Sequence, residues 1–261
     1  MGRELRAFGA VMKAARTILF PPQCLDCGTG VAEDGALCPA CWGEAEFIGA
    51  CLCDTCGIPL PGDGGTEAGL TCDDCLARLR PWVRGRAALV YAGSGRRLVL
   101  ALKHGDRPDL APALGRWLAA AAVPLVAPDM VVVPVPLHPR RMLRRKYNQA
   151  ALLGAAVARA HGLLLEAAAL RRVRHTPMQD HGSVGDRFAN VEGAIRLADR
   201  AQARLQGRPV LLVDDVMASG ATLAAAADAL AGAGAAEVSV AVLARAVKAG
   251  RPAAPGVEPP E

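Results

Sequence analysis

Aromatic residues are scarce, at 3% of a 261-residue chain. A binding mode that stacks successive bases on aromatic rings has few candidates here: Trp42, Trp82, Tyr91 and Tyr147 are the best of them. No apolar run reaches the length of a membrane-spanning helix. The opening "MGRELRAFGAVMKAARTILF" lacks the compact apolar block and small-residue cleavage site of a signal peptide. Its apolar residues Leu5, Phe8, Val11, Met12, Ala15 and Leu19 follow helical spacing instead, which predicts an amphipathic helix over residues 1–20 of a cytoplasmic protein. No Ser–His–Asp grouping or paired-carboxylate hydrolase arrangement is present. Residues 21–80 are also short of aliphatic side chains, so that region needs another source of cohesion.

Cysteine supplies it. Eight of the nine cysteines form four CxxC pairs, Cys24/Cys27, Cys38/Cys41, Cys53/Cys56 and Cys72/Cys75. Each CxxC turn aims two thiolates at one point, and two such turns close an all-sulfur tetrahedral site that suits zinc. Gaps of ten and fifteen residues separate the paired turns, long enough for hairpins, and Gly28 and Gly57 follow the first turn of each half. Two consecutive zinc ribbons, over 24–41 and 53–75, are the simplest arrangement. Iron–sulfur ligation and a first turn that shares its metal with the third are the alternatives. Without a secretion signal, disulfides are disfavoured. Four-sulfur sites leave no open position, so their role is structural, with support of a partner or nucleic acid as the further option. Cys51 is left over as a structural or free thiol.

From residue 81 the chain alternates strands and helices. Strands are expected at 86–93, 130–136, 209–215 and 237–245, and helices at 94–105, 111–122, 148–162 and 221–234. Continuous apolar strands such as "MVVVPVP" belong in a parallel sheet covered by helices on both faces, an α/β fold. Expected domains are a ribbon region over 21–80, an α/β domain over 81–248, and a Pro-rich disordered tail over 249–261.

Charge is divided unevenly, with a formal −5 over residues 1–80 and +10 over 81–261. The basic part suits an anionic partner, either a polyphosphate or a nucleic acid. "VLLVDDVMASGATL" (210–223) shows where such a partner would sit. Four apolar residues lead into Asp214 and Asp215 at the carboxyl end of a strand, where open α/β sheets bind ligands. Ala218, Ser219, Gly220, Ala221 and Thr222 then form a small-residue loop before a helix, able to close backbone N–H groups around a phosphate. Carboxylates beside a phosphate cradle suit sugar hydroxyls, with Mg²⁺ on the pyrophosphate side, and together describe a ribose-5-phosphate pocket.

This segment resembles the 5-phosphoribosyl-1-pyrophosphate (PRPP) motif of type I phosphoribosyltransferases. The resemblance implies that Asp214 and Asp215, the catalytic pair, bind ribose hydroxyls and that residues 218–222 hold the 5′-phosphate. Ala218 stands where that family usually carries Thr. "VPVPLHPRRMLRRKYNQA" (133–150) supplies a basic loop in which Arg140, Arg141, Arg144, Arg145 and Lys146 could meet pyrophosphate, and "RHTPMQDHGSVGDRFANVEGAI" (174–195) resembles the loop that covers PRPP. With the CxxC pairs, "LKHGDRPDLA" (102–111), "NQA" (148–150), Gln179, Arg187 and Asn190, the chain resembles the ComF family, a double zinc ribbon fused to a phosphoribosyltransferase domain. Lys146 stands where many relatives carry Gly.

Two functions follow. One is phosphoribosyl transfer from PRPP with Mg²⁺, in which Arg144, Arg145, Lys146 or Lys103 offsets the pyrophosphate charge and catalysis is electrostatic. Under that reading the acceptor, a nucleobase in a salvage enzyme, faces a hood built from residues 85–128 and the ribbons. The other, implied by the ComF resemblance, is handling of single-stranded DNA with DNA-uptake proteins during natural transformation, with salt-sensitive binding.

Overall fold

The computed structural model describes residues 20–62, 69–104, 106–174 and 184–247. The expected N-terminal helix, His175, Gln179, His181 and the tail lie outside the described residues.

Each ribbon half repeats one design. In the first, Cys24 N–H donates to Thr29 O, Gly28 turns with φ +78°, and Cys38 N–H donates to Cys24 Sγ at 3.3 Å. In the second, Cys53 N–H donates to Ile58 O, Gly57 turns with φ +67°, and Cys72 N–H donates to Cys53 Sγ at 3.3 Å. A short helix follows each second turn's first cysteine: α1 (Pro39–Gly43) and α2 (Asp73–Leu76). Among the described residues, single antiparallel bridges, Gln23 to Gly30 and Leu52 to Pro59, flank the first CxxC turn of each half.

The α/β part then runs β1 (Gly85–Val90), α3 (Gly93–His104), α4 (Ala111–Ala122), β2 (Val131–Pro134), α5 (Pro139–Arg145), α6 (Gln149–His161), β3 (Leu164–Leu165), β4 (Leu170–Arg172), α7 (Val184–Val191), β5 (Ile195–Leu197), α8 (Gln202–Leu205), β6 (Pro209–Met217), α9 (Ala221–Gly232) and β7 (Glu237–Arg245). Five strands form a parallel sheet in the order β1-β7-β6-β2-β3, and β4 and β5 pair antiparallel beside it. The expected parallel sheet flanked by helices is present.

Side-chain alternation divides the core. Leu211, Val213, Ala241 and Leu243 pack with Leu114, Leu118, Leu153 and Val157 of α4 and α6 on one face. Val210, Leu212, Val240 and Val242 pack with Leu223, Ala227 and Leu230 of α9 on the other. That second face also takes in Cys53, Cys56, Cys72, Cys75 and Trp82, so the second ribbon is built into the domain core. The first cluster keeps a small apolar set of its own, with Val31 and Leu37. It joins the sheet side through Arg97, which binds Asp26 at 2.6 Å and Glu44.

Helix ends follow the residues that cap them. Asn148 Oδ1 accepts from Ala150 N–H at the start of α6, and Gly162, at φ +65°, closes it. The segment read as a basic loop at 140–146 is instead the helix α5, capped by His138. Lys146 ends it in the left-handed region at φ +64°. A side chain there costs about 1–2 kcal/mol that Gly does not pay. Lys146→Gly should therefore raise the melting temperature by about 2–8 °C, since its exposed ion pair with Asp106 at 3.4 Å contributes little. A thermal melt checks this.

Candidate functional site

The central strand β6 outruns its neighbour β2. Their last paired rung is Pro134 with Val213, after which Asp214 and Asp215 continue beside an open crevice. The helices that follow β2 and β6 lie on opposite sheet faces, so this is the switch point where an open α/β sheet leaves room for a ligand. A cleft of about 510 Å³ fills it, lined by both aspartates, Lys103, the loop after β6 and groups from α5 and α7.

Two adjacent carboxylates here cannot both stay charged without compensation. Asp215 is buried and pairs with Lys103 Nζ at 3.0 Å. Asp214 accepts the Asp215 N–H at 2.9 Å. Burial first, and then the charge of Asp215, push the Asp214 carboxyl up to about 7, against the opposing pull of Lys103. Its folded-state pKa thus lies above the unfolded value of about 4. The folded chain keeps a proton the unfolded chain loses, and stability falls as pH rises from about 4 through 7. Asp214→Asn should remove that cost: its gain in melting temperature should be absent below about pH 4, grow with pH, and level off above about 7. Melts across that range test the sign.

The loop after β6 is made of small residues and leads into the N-terminus of α9. Gly220 sits at φ +80°, and a Cβ there would stand 3.1 Å from the Trp82 ring. Its side faces Trp82, while Ala218, Ser219, Ala221 and Thr222 line the cleft. Gly220 has no side chain to cap α9, so apart from the Ala221 N–H the N–H groups of its first turn have no side-chain cap at the positive end of the helix dipole, beside the cleft. Ser219 Oγ accepts from Ala221 N–H at 3.4 Å.

Basic groups close the opposite wall. Arg141 and Arg145 are one helical turn apart on α5, and both reach the cleft. A loop reading cannot pair them; helical spacing in "PRRMLRR" gives Arg140 with Arg144 and Arg141 with Arg145, and the fold turns the second pair to the cleft. Lys103, at the end of α3, is held by the "YNQ" segment: Tyr147 Oη donates to Leu102 O at 2.7 Å, and Gln149 Nε2 to Lys103 O at 3.3 Å. Lys146 is not among the lining residues; it turns to Asp106. The side chain of Arg144 lies outside the described residues.

Arg172, Arg187 and Asn190 also line the cleft. Arg187 and Asn190 come from α7, part of the segment read as a cover. Sequence reasoning misses Arg172: it is 9% exposed on the short strand β4, and a buried arginine in "LRRVRH" has no pattern that separates it from its exposed neighbours. Burial, and then Arg141 nearby, lower its pKa, the signature of a crowded cationic wall.

The cysteines divide as expected between two four-cysteine sites, Cys24, Cys27, Cys38 and Cys41 in one, and Cys53, Cys56, Cys72 and Cys75 in the other. The first turn is grouped with the second, and not with the third. In each site all four Sγ atoms lie within 4.8 Å of one another. The contacts Cys27–Cys38 at 3.6 Å and Cys56–Cys72 at 3.7 Å match the edge of about 3.8 Å in a tetrahedron with metal–sulfur bonds of about 2.3 Å. The residues fit structural zinc. Among the described residues no helix is long and apolar enough to cross a membrane.

Comparison with known proteins agrees with this geometry. A double zinc ribbon domain matches residues 15–76, and a phosphoribosyl transferase domain matches residues 149–254. DNA utilization protein YhgH of Escherichia coli (strain K12) is 34% identical over 215 residues, 80% of this chain and 90% of its own length. Competence protein F of Haemophilus influenzae is 38% identical over 115 residues, 44% of this chain and 50% of its own. A solved structure of the allosteric regulatory enzyme of purine biosynthesis aligns with 55% of this chain and 30% of that one, at 21% identity and a TM-score of 0.38. The chain belongs to the ComF family, in which a double zinc ribbon is joined to a phosphoribosyltransferase domain.

Proposed function

We propose that the cleft binds PRPP, or another ligand carrying a ribose 5-phosphate group, and that the protein uses this site in handling DNA during uptake. The observation that carries the reading is the juxtaposition of Asp214 and Asp215 with the small-residue N-terminus of α9 across one cleft. Asp214 and Asp215 accept the ribose hydroxyls, and the backbone of 218–222 receives the 5′-phosphate. Lys103, Arg141, Arg145, Arg172 and Arg187 offset the pyrophosphate charge. Mg²⁺ accompanying the pyrophosphate would supply further charge neutralisation. If transfer occurs, the protein's contribution is to orient the ribose and stabilise the departing pyrophosphate electrostatically. Ala218, in place of a hydroxyl residue, leaves the backbone donors but removes one side-chain donor from the phosphate.

The DNA role rests on the relatives, named for DNA utilization and for competence. The exposed face of α5, with Arg140 and a Leu143 that is 84% exposed, extends the basic wall away from the cleft. A single strand could follow it with one phosphate in the cradle. Its affinity would then fall with salt, and PRPP would displace it.

Titration of the zinc-loaded chain with Mg²⁺–PRPP by calorimetry tests the reading. One binding event per chain is expected, tightening from pH 6 to pH 8 as Asp214 ionises and becomes a better acceptor. Absence of saturable heat at millimolar ligand would remove it.

A further inference from the structure

The phosphate loop rests on the second ribbon through two arginines. Arg245, the last residue of β7, is 2% exposed. Its Nη1 donates to Met217 O at 3.0 Å and Ala218 O at 2.7 Å, and its Nη2 lies 3.8 Å from Cys56 Sγ. Arg80 Nη1 donates to Ser219 O at 2.8 Å, and the same guanidinium lies close enough to Cys75 to act on its thiol electrostatically. Trp82 completes the seat: its Nε1 donates to Thr55 O, between Cys53 and Cys56, while its ring faces Gly220.

These bonds decide which way the loop's peptides face. In a trans peptide the C=O of one residue and the N–H of the next point in opposite directions. Holding the carbonyls of 217, 218 and 219 on the ribbon side therefore turns the N–H groups of Ala218, Ser219 and Gly220 the other way, toward the cleft. The Met217 carbonyl is also held by Ala246 N–H at 2.9 Å, so a loop released from Arg80 and Arg245 could flip the two peptides after it, those of Ala218 and Ser219, and present their oxygens to the phosphate. The second thing the arginines touch is sulfur. Four thiolates around one divalent ion leave a net charge of −2, which holds two guanidinium groups firmly; four neutral thiols do not.

We propose that Arg80 and Arg245 are positioning residues that couple the second four-cysteine site to the phosphate loop, so that metal in one and a phosphoribosyl ligand on the other bind cooperatively. The proposal rests on the ligand reading above. The second ribbon is then part of the binding site, and the first stays out of the coupling, because Arg80, Trp82 and Arg245, which hold the loop, contact the second cluster and its Thr55. Coupling of this kind is reciprocal: if metal tightens ligand, ligand tightens metal by the same factor in affinity, and slower release is its kinetic sign. Arg80 also lies over the ring of Phe188 at 6.0 Å, which links the same seat to α7 and its cleft residues Arg187 and Asn190.

The experiment follows zinc release from the full chain into excess of a chromogenic chelator, with and without saturating PRPP. Ligand binding is measured separately by calorimetry on the same sample. One of the two zinc ions should leave on the order of tenfold more slowly with PRPP present, while the other is unaffected. Arg80→Met should bind two zinc ions, bind PRPP on the order of tenfold more weakly, and lose the protection even at saturating ligand. Arg80→Lys should restore part of it. Arg80 carries the test because it is only half-buried, whereas Arg245 is buried and its replacement could unfold the chain. PRPP binding with unchanged release of both ions overturns the coupling and leaves the ligand reading standing. Wild-type affinity and full protection in Arg80→Met overturn it equally. No PRPP binding by the wild type overturns the ligand reading, and the coupling with it.

Discussion

Replacing Asp214 and Asp215 together by alanine should weaken PRPP binding by at least about a hundredfold while the chain keeps both zinc ions. Each carboxylate would accept a hydroxyl of the ribose, and a hydrogen bond to a charged group contributes about 1.5–3 kcal/mol. Losing two such bonds costs about 3–6 kcal/mol, and every 1.4 kcal/mol is tenfold in affinity. The fold should survive, because neither carboxylate anchors the core. Asp214 accepts the N–H of its own neighbour, and Asp215 pairs with Lys103, a cleft residue itself. Calorimetry on the variant, with zinc content as the check on folding, gives the answer. A variant that binds PRPP like the wild type would place the ligand elsewhere.

The two zinc sites should differ sharply in what their loss does. Structural zinc contributes apparent folding free energies of about 10–16 kcal/mol, as large as the whole stability of a typical domain. Where that energy is spent depends on what packs around the sulfurs. Cys53, Cys56, Cys72 and Cys75 are all buried and share a core with β6, β7 and α9. Cys72→Ala should therefore lower the melting temperature of the entire α/β part by more than about 10 °C, or prevent soluble expression. In the first site Cys27 is exposed, and its sulfurs pack with Val31 and Leu37 outside the buried core, which this ribbon meets at its edge through Leu25, Leu37 and the Asp26–Arg97 ion pair. Cys27→Ala should unfold that ribbon locally and leave the main melt within about 4 °C of wild type. Calorimetric scans of both variants decide it; equal losses would mean that the first ribbon is also part of the cooperative core.

Much of this molecule is legible in its residues because local and global signals agree. The strand at 237–245 and the helix at 111–122 coincide with β7 and α4. Their apolar residues are continuous or helically spaced, and Gly or Pro marks the ends. The metal sites are legible because a CxxC turn brings two sulfurs to one point and four such turns form two tetrahedra. What escapes the sequence lacks a local signal. Strands β3, β4 and β5 have two or three residues each, too few for a period to register. The helix α5 is hidden by its arginines, which read as loop charge until His138 and Pro139 are seen to start a turn. The arginines under the phosphate loop, Arg80 and Arg245, lie 165 positions apart in the sequence. Only the fold brings them to neighbouring carbonyls.

The sharpest test of the central claim is a crystal structure of the zinc-loaded protein soaked with Mg²⁺ and PRPP. The 5′-phosphate is expected within hydrogen-bond distance of the backbone N–H groups of 219–222. The ribose hydroxyls should lie on Asp214 and Asp215, and the pyrophosphate should face Lys103, Arg141 and Arg145. Ligand density elsewhere, or a phosphate met by the loop's carbonyl oxygens, would contradict it.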